Sequence, residues 1–126
     1  MAGAPQYLLA LYIAEHREAP PVSPGVVADL LDRSPATVTE RFQRLAEEGL
    51  VEYEPYEGVT LTPAGRQAAE PLHESYVTVS WFFRVVLELD SSEREAMELA
   101  GAVSPAVAER LAALLPVEES PSLEAE

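Results

Sequence analysis

The sequence predicts a mainly α fold, interrupted once in its first half by a two-stranded hairpin. Three observations carry this. Apolar residues recur at helical spacing along most of the 126 residues. Four segments open on Ser23-Pro24, Ser34-Pro35, Thr62-Pro63 and Ser104-Pro105, a capping hydroxyl followed by a proline whose fixed φ suits a first helical turn. Between Leu50 and Leu61 the helical spacing gives way to alternation around a turn that holds Pro55 and Gly58.

Residues 5–18 set Leu8, Leu11 and Tyr12 at helical spacing, with Glu15 and Arg17 on the other side, and Pro20-Pro21 stops this first helix. A short second helix after Ser23-Pro24 carries Val26, Val27, Leu30 and Leu31 as its apolar stripe. The third follows Ser34-Pro35, buries Val38, Phe42 and Leu45, and ends at Gly49, a residue suited to the C-cap. Leu50, Val51 and Tyr53 lead into one strand, and Val59 and Leu61 alternate on the next. Thr62-Pro63 opens a fourth helix that Pro71 should kink or divide, with a strongly apolar pattern from Leu72 to Leu89. Asp90-Ser91-Ser92-Glu93 reads as the capping box of a fifth helix. Ser104-Pro105 opens a sixth, with Val107, Leu111 and Leu114 inside. Only Asp32 and Arg33 separate the second helix from the Ser34 cap, which demands a tight turn. The first part is therefore laid out as a winged helix-turn-helix.

Composition sets limits. Hydrophobic residues make up 48% of the chain, enough for a packed core. The sequence contains no Cys, which excludes disulfides, thiolate metal sites and Cys nucleophiles. No apolar run reaches the roughly 20 residues that span a bilayer, and no signal-like start is present, so a soluble, cytoplasmic protein without a membrane partner is expected. There are 22 acidic residues against eight Arg and no Lys, for a net charge of −14. One reading is a halophilic protein working in concentrated salt, where self-repulsion is screened over about 3 Å at 1 M. The other is biased genomic composition combined with an acidic role. An enzyme is not expected: there are two His, no Gly-rich phosphate loop and no carboxylate pair in an evident cleft.

The third helix carries the chemistry. With Val38, Phe42 and Leu45 inward, Ala36, Glu40, Gln43 and Glu47 face out and Thr37 and Arg44 flank them. A recognition helix needs short or polar residues near its start, so that the backbone enters the major groove. Ser34, Pro35, Ala36, Thr37 and Thr39 meet that need. Gln43 can pair bidentately with adenine, and Arg41 or Arg44 can bond phosphate or guanine. Glu40 on the same face and Tyr56 on the hairpin turn complete the candidate DNA-binding set. The alternative is a solvated polar face on a protein-interaction module, and the acidic surface supports it. Residues 1–72 hold 11 acids against five Arg. If DNA is the partner, this charge predicts cation uptake on binding and an affinity that rises with salt. An ordinary negative salt slope would contradict it.

Three runs resemble a known family: Ser34-Pro35-Ala36-Thr37-Val38-Thr39, Leu45 to Tyr56, and Gly58-Val59-Thr60-Leu61-Thr62-Pro63-Ala64-Gly65. With the opening Tyr7-Leu8-Leu9-Ala10-Leu11-Tyr12, they are similar to the metal-dependent repressors of the diphtheria toxin repressor and manganese transport regulator type. The match is specific over residues 6–66 and looser over 72–115. The likeness is to the short, two-domain members. It implies a winged helix-turn-helix DNA-binding domain over 1–71 and a helical dimerisation domain over 72–115; Pro116 and the acidic residues after it make 116–126 an expected disordered tail. It also implies a homodimer on a palindromic double-stranded DNA operator, repressing metal-uptake genes under a divalent metal. Trp81, Phe82 and Phe83 are consecutive, so one helix cannot hide all three on one face. With Tyr76, Val79 and Leu87 they form the candidate dimer interface.

The family's ligand positions depart from its pattern. It places an acid just before the Tyr of its first helix and another three residues later; here those residues are Gln6 and Leu9. Its long-helix His falls at Val77, and the Glu, Glu and His of its next helix fall at Met97, Ala100 and Gly101. None offers the carboxylate or imidazole that manganese or iron takes. The expectation is a regulator without metal dependence, whose only ions are non-specific potassium or sodium counterions. The alternative is a displaced manganese or iron site in which His73 and Glu74 approach Glu95 and Glu98. His16, near the end of the first helix, reads as solvated.

Overall fold

The structure is a computed structural model and describes residues 3–89 and 93–114. Its helices are α1 (Ala4–Arg17), α2 (Pro24–Leu31), α3 (Pro35–Glu47), α4 (Pro63–Val85), α5 (Glu93–Ala102) and α6 (Pro105–Ala113). Strands β1 (Val51–Glu54) and β2 (Gly58–Leu61) lie between α3 and α4. The architecture is mainly α, with a winged helix-turn-helix followed by further helices. The chain divides into two compact units, one ending at Glu70 and the other beginning at Pro71.

In the first unit α1 is the central element. Gln6 to Leu11, Ile13 and Ala14 are all buried, so the helix is enclosed on most of its circumference rather than along one stripe. Its run Tyr7 to Ala14 is apolar throughout, which suits a helix wrapped by neighbours. At its start the Gln6 side chain accepts from Gly3 N–H at 2.8 Å and serves an otherwise orphaned donor. From α2 come the buried residues Val27, Ala28 and Leu31, whereas Val26 and Leu30 are half-buried. From α3 come Val38, Phe42 and Leu45, as their spacing predicts. Phe42 meets Tyr7 of α1 edge to face at 6.0 Å between ring centres.

Helix α3 ends in a Schellman motif. Leu50 N–H bonds Leu45 C=O and Gly49 N–H bonds Ala46 C=O, both at 3.0 Å, with Gly49 at φ 81°. The chain then enters an antiparallel hairpin in the register Val51↔Leu61, Glu52↔Thr60, Tyr53↔Val59 and Glu54↔Gly58. Val22 adds a short third rung on the outer side of β2, exchanging both backbone bonds with Val59 at 2.8 and 2.9 Å.

Helix α4 continues through Pro71, so of the kink or division that the sequence suggests, the division does not occur. A proline removes one backbone bond but need not end a helix that has other support. The helix stops at Val85, so Val86, Leu87, Glu88 and Leu89 of the apolar pattern lie beyond it, with Glu88 at φ 57°. In the second unit Val77 of α4, Met97 and Ala100 of α5 and Ala108 of α6 are buried. Ser104 caps α6 by accepting from Val107 N–H at 3.3 Å. Glu93 begins α5, whereas Asp90, Ser91 and Ser92 of the expected capping box fall outside the described residues. So does the tail 116–126. No described helix is long and apolar enough to cross a membrane.

Candidate nucleic-acid interface

Asp32, at φ 56°, closes α2 in the left-handed region that lets the chain turn at once. The Arg33 guanidinium then donates to the carbonyls of Leu31 and Asp32 at 3.4 and 3.2 Å. Ser34 caps α3: its Oγ accepts from Thr37 N–H at 3.2 Å and donates to Thr37 Oγ1 at 2.8 Å. Such a cap stabilises a helix by about 1 kcal/mol. It also fixes the geometry of the first turn.

Ser34, Pro35, Ala36, Thr37, Glu40, Gln43 and Arg44 are exposed, and Thr39 and Arg41 are half-buried. The outward face is thus the one the helical spacing predicts. The two arginines differ. The Arg41 guanidinium lies 5.5 Å from the centre of the buried Tyr7 ring, a cation–π arrangement that restrains it. Arg44 extends into solvent. Arg41 therefore offers a pre-positioned edge and Arg44 an exposed charge.

The wing is built to a defined shape. Glu57 N–H bonds Glu54 C=O at 3.0 Å across a four-residue turn with Pro55 second and Tyr56 third. Tyr56 has φ 71° and is fully exposed. Proline followed by a positive φ is the type II pattern, which normally takes Gly or Asn at the third position. Gly58, at φ 135°, meets its need differently, since a Cβ there would sit 2.6 Å from Val22 O.

The base of the wing is held by a carboxylate from α1. Glu15 Oε2 accepts from Leu61 N–H at 2.8 Å, and Oε1 accepts from Arg66 Nη2 at 2.9 Å. The Glu15 side chain is 4% exposed and that of Arg66 42%. Val59 N–H is turned toward Val22, so Leu61 N–H, two residues on, points to the same outer edge, where Glu15 meets it. Thr62 joins this junction by donating to Gly49 C=O at 2.6 Å and accepting from Gly65 N–H at 3.1 Å. A Cβ on Gly65 would lie 1.9 Å from Leu50 O, so only glycine lets α4 start against the end of α3. Helical spacing puts Glu15 on the side away from the core. Its role depends on residues far along the chain, and no local signal marks it.

The candidate dimer residues separate into two groups. Tyr76 and Val79 are 8% and 1% exposed, so they belong to the interior of this chain and are not open to a second copy. Tyr76 also approaches Glu93, its hydroxyl donating to Oε2 at 3.3 Å. Trp81, Phe82 and Phe83 are half-buried, because consecutive residues point in different directions, and Leu87 is exposed beyond the helix end. Arg84 lies 5.5 Å from the Trp81 ring centre.

A family model described as the iron dependent repressor, N-terminal DNA binding domain, matches residues 1–59. An uncharacterized HTH-type transcriptional regulator of Methanocaldococcus jannaschii is 34% identical over 107 residues, covering 83% of this chain and 86% of that protein. The chain belongs to the iron-dependent repressor family. It is accordingly a DNA-binding transcriptional regulator. The HTH-type transcriptional regulator MntR of Lysinibacillus sphaericus is 33% identical over 60 residues, covering 48% of this chain and 43% of that protein. Among solved structures, a manganese-dependent transcriptional repressor in complex with manganese superposes with a TM-score of 0.75 at 30% identity, over 88% of this chain and 51% of that one. The manganese regulator SloR gives 0.68 at 26% identity, over 88% and 52%. The chain thus spans about half the length of these solved repressors.

The side chains at the family's ligand positions do not fit a metal. Leu9, Val77, Met97 and Ala100 are buried apolar groups, and Gln6 is engaged as a cap. Hard divalent ions take carboxylate or imidazole donors, which these residues lack. Of the alternative set, His73 is buried beside the Tyr76 ring at 6.0 Å, Glu98 is half-buried, and Glu74 and Glu95 are exposed. Among the described residues, no three His, Asp or Glu are placed to hold an ion, and no buried side-chain polar atom lacks a partner.

Proposed function

We propose that the chain is a homodimeric, sequence-specific repressor of the iron-dependent repressor family whose DNA binding does not require manganese or iron. The observation that carries this reading is the apolar character of the family's ligand positions, where Leu9, Val77, Met97 and Ala100 are packed as core. None of these side chains offers the carboxylate or imidazole donor that such an ion takes. The recognition face retains what base reading needs: a capped first turn, Gln43, and the contrasting Arg41 and Arg44. Self-association is supported by apolar side chains left exposed in the second unit, among them Leu87, Leu89, Val107 and Leu114. A two-fold dimer presents two α3 helices and favours a palindromic operator.

The test is binding to DNA from the protein's own promoter region, in molar potassium chloride with chelator, and then with manganese added. Tight, sequence-selective binding in chelator is expected, unchanged by manganese. Binding that appears only with manganese overturns the reading and directs attention to His73, Glu74, Glu95 and Glu98. Sedimentation of the same sample as a monomer would remove the dimer.

A further inference from the structure

The most exposed aromatic of the first unit lies at the wing tip, away from α3. Tyr56 occupies the third position of a type II turn at φ 71°, where a side chain crowds its own backbone and Gly or Asn is favoured. Its ring is fully exposed, so packing within the chain does not compensate that conformation. A residue kept at an unfavourable φ without return from its own fold points to a task outside it. Its surroundings narrow the task. From Gly49 to Thr62 the sequence has no Arg, Lys or His, and Glu52, Glu54 and Glu57 are exposed on the hairpin. The wing therefore cannot make the usual ion pairs with phosphate. Of the hairpin's two phenols Tyr53 is half-buried, which leaves Tyr56 as the fully exposed large group that can approach a polyanion without repulsion, presenting a ring to deoxyribose and a hydroxyl donor to phosphate oxygen.

We propose that Tyr56 is the wing's contact with duplex DNA, and that this contact is uncharged. The proposal rests on the DNA-binding reading and adds to it a residue and a salt signature. An uncharged contact releases no counterion, so it contributes to affinity without contributing to the salt slope.

The experiment uses the full chain and a duplex enriched by it from a random-sequence library. Affinities of wild type, Tyr56→Gly and Arg44→Ala are measured across a range of potassium chloride concentrations. Tyr56→Gly is expected to bind about tenfold more weakly, the size of one interfacial contact, with the slope of log affinity against log salt unchanged. Its Tm should hold or rise, because glycine relieves the backbone. Arg44→Ala should shift the slope by about one. If Arg44→Ala weakens binding and Tyr56→Gly binds like wild type, the wing contact falls and the DNA reading stands. A changed slope in Tyr56→Gly overturns the uncharged character. A lowered Tm in that variant would assign Tyr56 to the fold instead. If neither variant weakens binding, the wing contact likewise falls; if no duplex is enriched, the DNA-binding reading fails and takes the proposal with it.

Discussion

Removing the Glu15 carboxylate should destabilise the protein far more than removing its charged partner. The two bonds it accepts are of similar length, 2.8 Å from Leu61 N–H and 2.9 Å from Arg66, but they sit in different surroundings. Leu61 is buried, and Glu15→Ala leaves its N–H on a strand edge without the acceptor that serves it. A charge-assisted bond contributes about 1.5–3 kcal/mol, and a buried donor left unsatisfied costs about 1–3 kcal/mol. These effects overlap, which puts Glu15→Ala at about 3 kcal/mol. The Arg66 side chain is 42% exposed, so its ion pair is screened and contributes about 0–1 kcal/mol. Arg66→Ala also opens the carboxylate to water, which limits the desolvation it would otherwise suffer. Urea denaturation of the two variants at low and at high potassium chloride is the assay. Glu15→Ala should cost about three times as much as Arg66→Ala, and salt should reduce both losses only by the ion-pair share they have in common, which leaves most of the Glu15→Ala loss in place. Equal losses, or a Glu15→Ala loss that salt abolishes, would refute the reasoning and make the ion pair the larger of the two contributions.

Two further predictions follow from packing. Phe42→Ala empties a fully buried site against Tyr7 and should cost about 3–5 kcal/mol by chemical denaturation; a loss below about 1 kcal/mol would mean that the core collapses around it. Gly65→Ala forces a Cβ to within 1.9 Å of Leu50 O, a backbone atom that cannot rotate away, so thermal melts should show a large loss of stability or no folded protein, and a wild-type Tm would contradict the close approach.

Most of the secondary structure is legible in the sequence because its determinants are local. Caps at Ser34 and Ser104, the Gly49 stop and the alternation through Val59 and Leu61 act within a few residues, and each appears where its pattern places it. The same holds for the outward face of α3, since helical spacing alone turns Val38, Phe42 and Leu45 inward. Pro71 does not divide α4, for a related reason. Its local effect is real, but a 23-residue helix with apolar support can lose one bond and continue. Tyr76 and Val79 share the apolarity of Trp81 to Phe83 but not their exposure, because hydropathy does not say whether a face meets its own chain or another.

Read alone, the sequence carries the order of elements, the outward face of α3, the family resemblance and the departures from the family's pattern at its ligand positions. The tertiary structure alone decided the rest. It turned Glu15 inward to residues 46 and 51 positions away, set Arg41 over Tyr7, and made Gly65 indispensable against Leu50. The division follows the range of the forces. Capping, φ preference and periodicity are properties of neighbours in sequence, whereas a buried bond or a close backbone approach exists only once distant segments have been packed together.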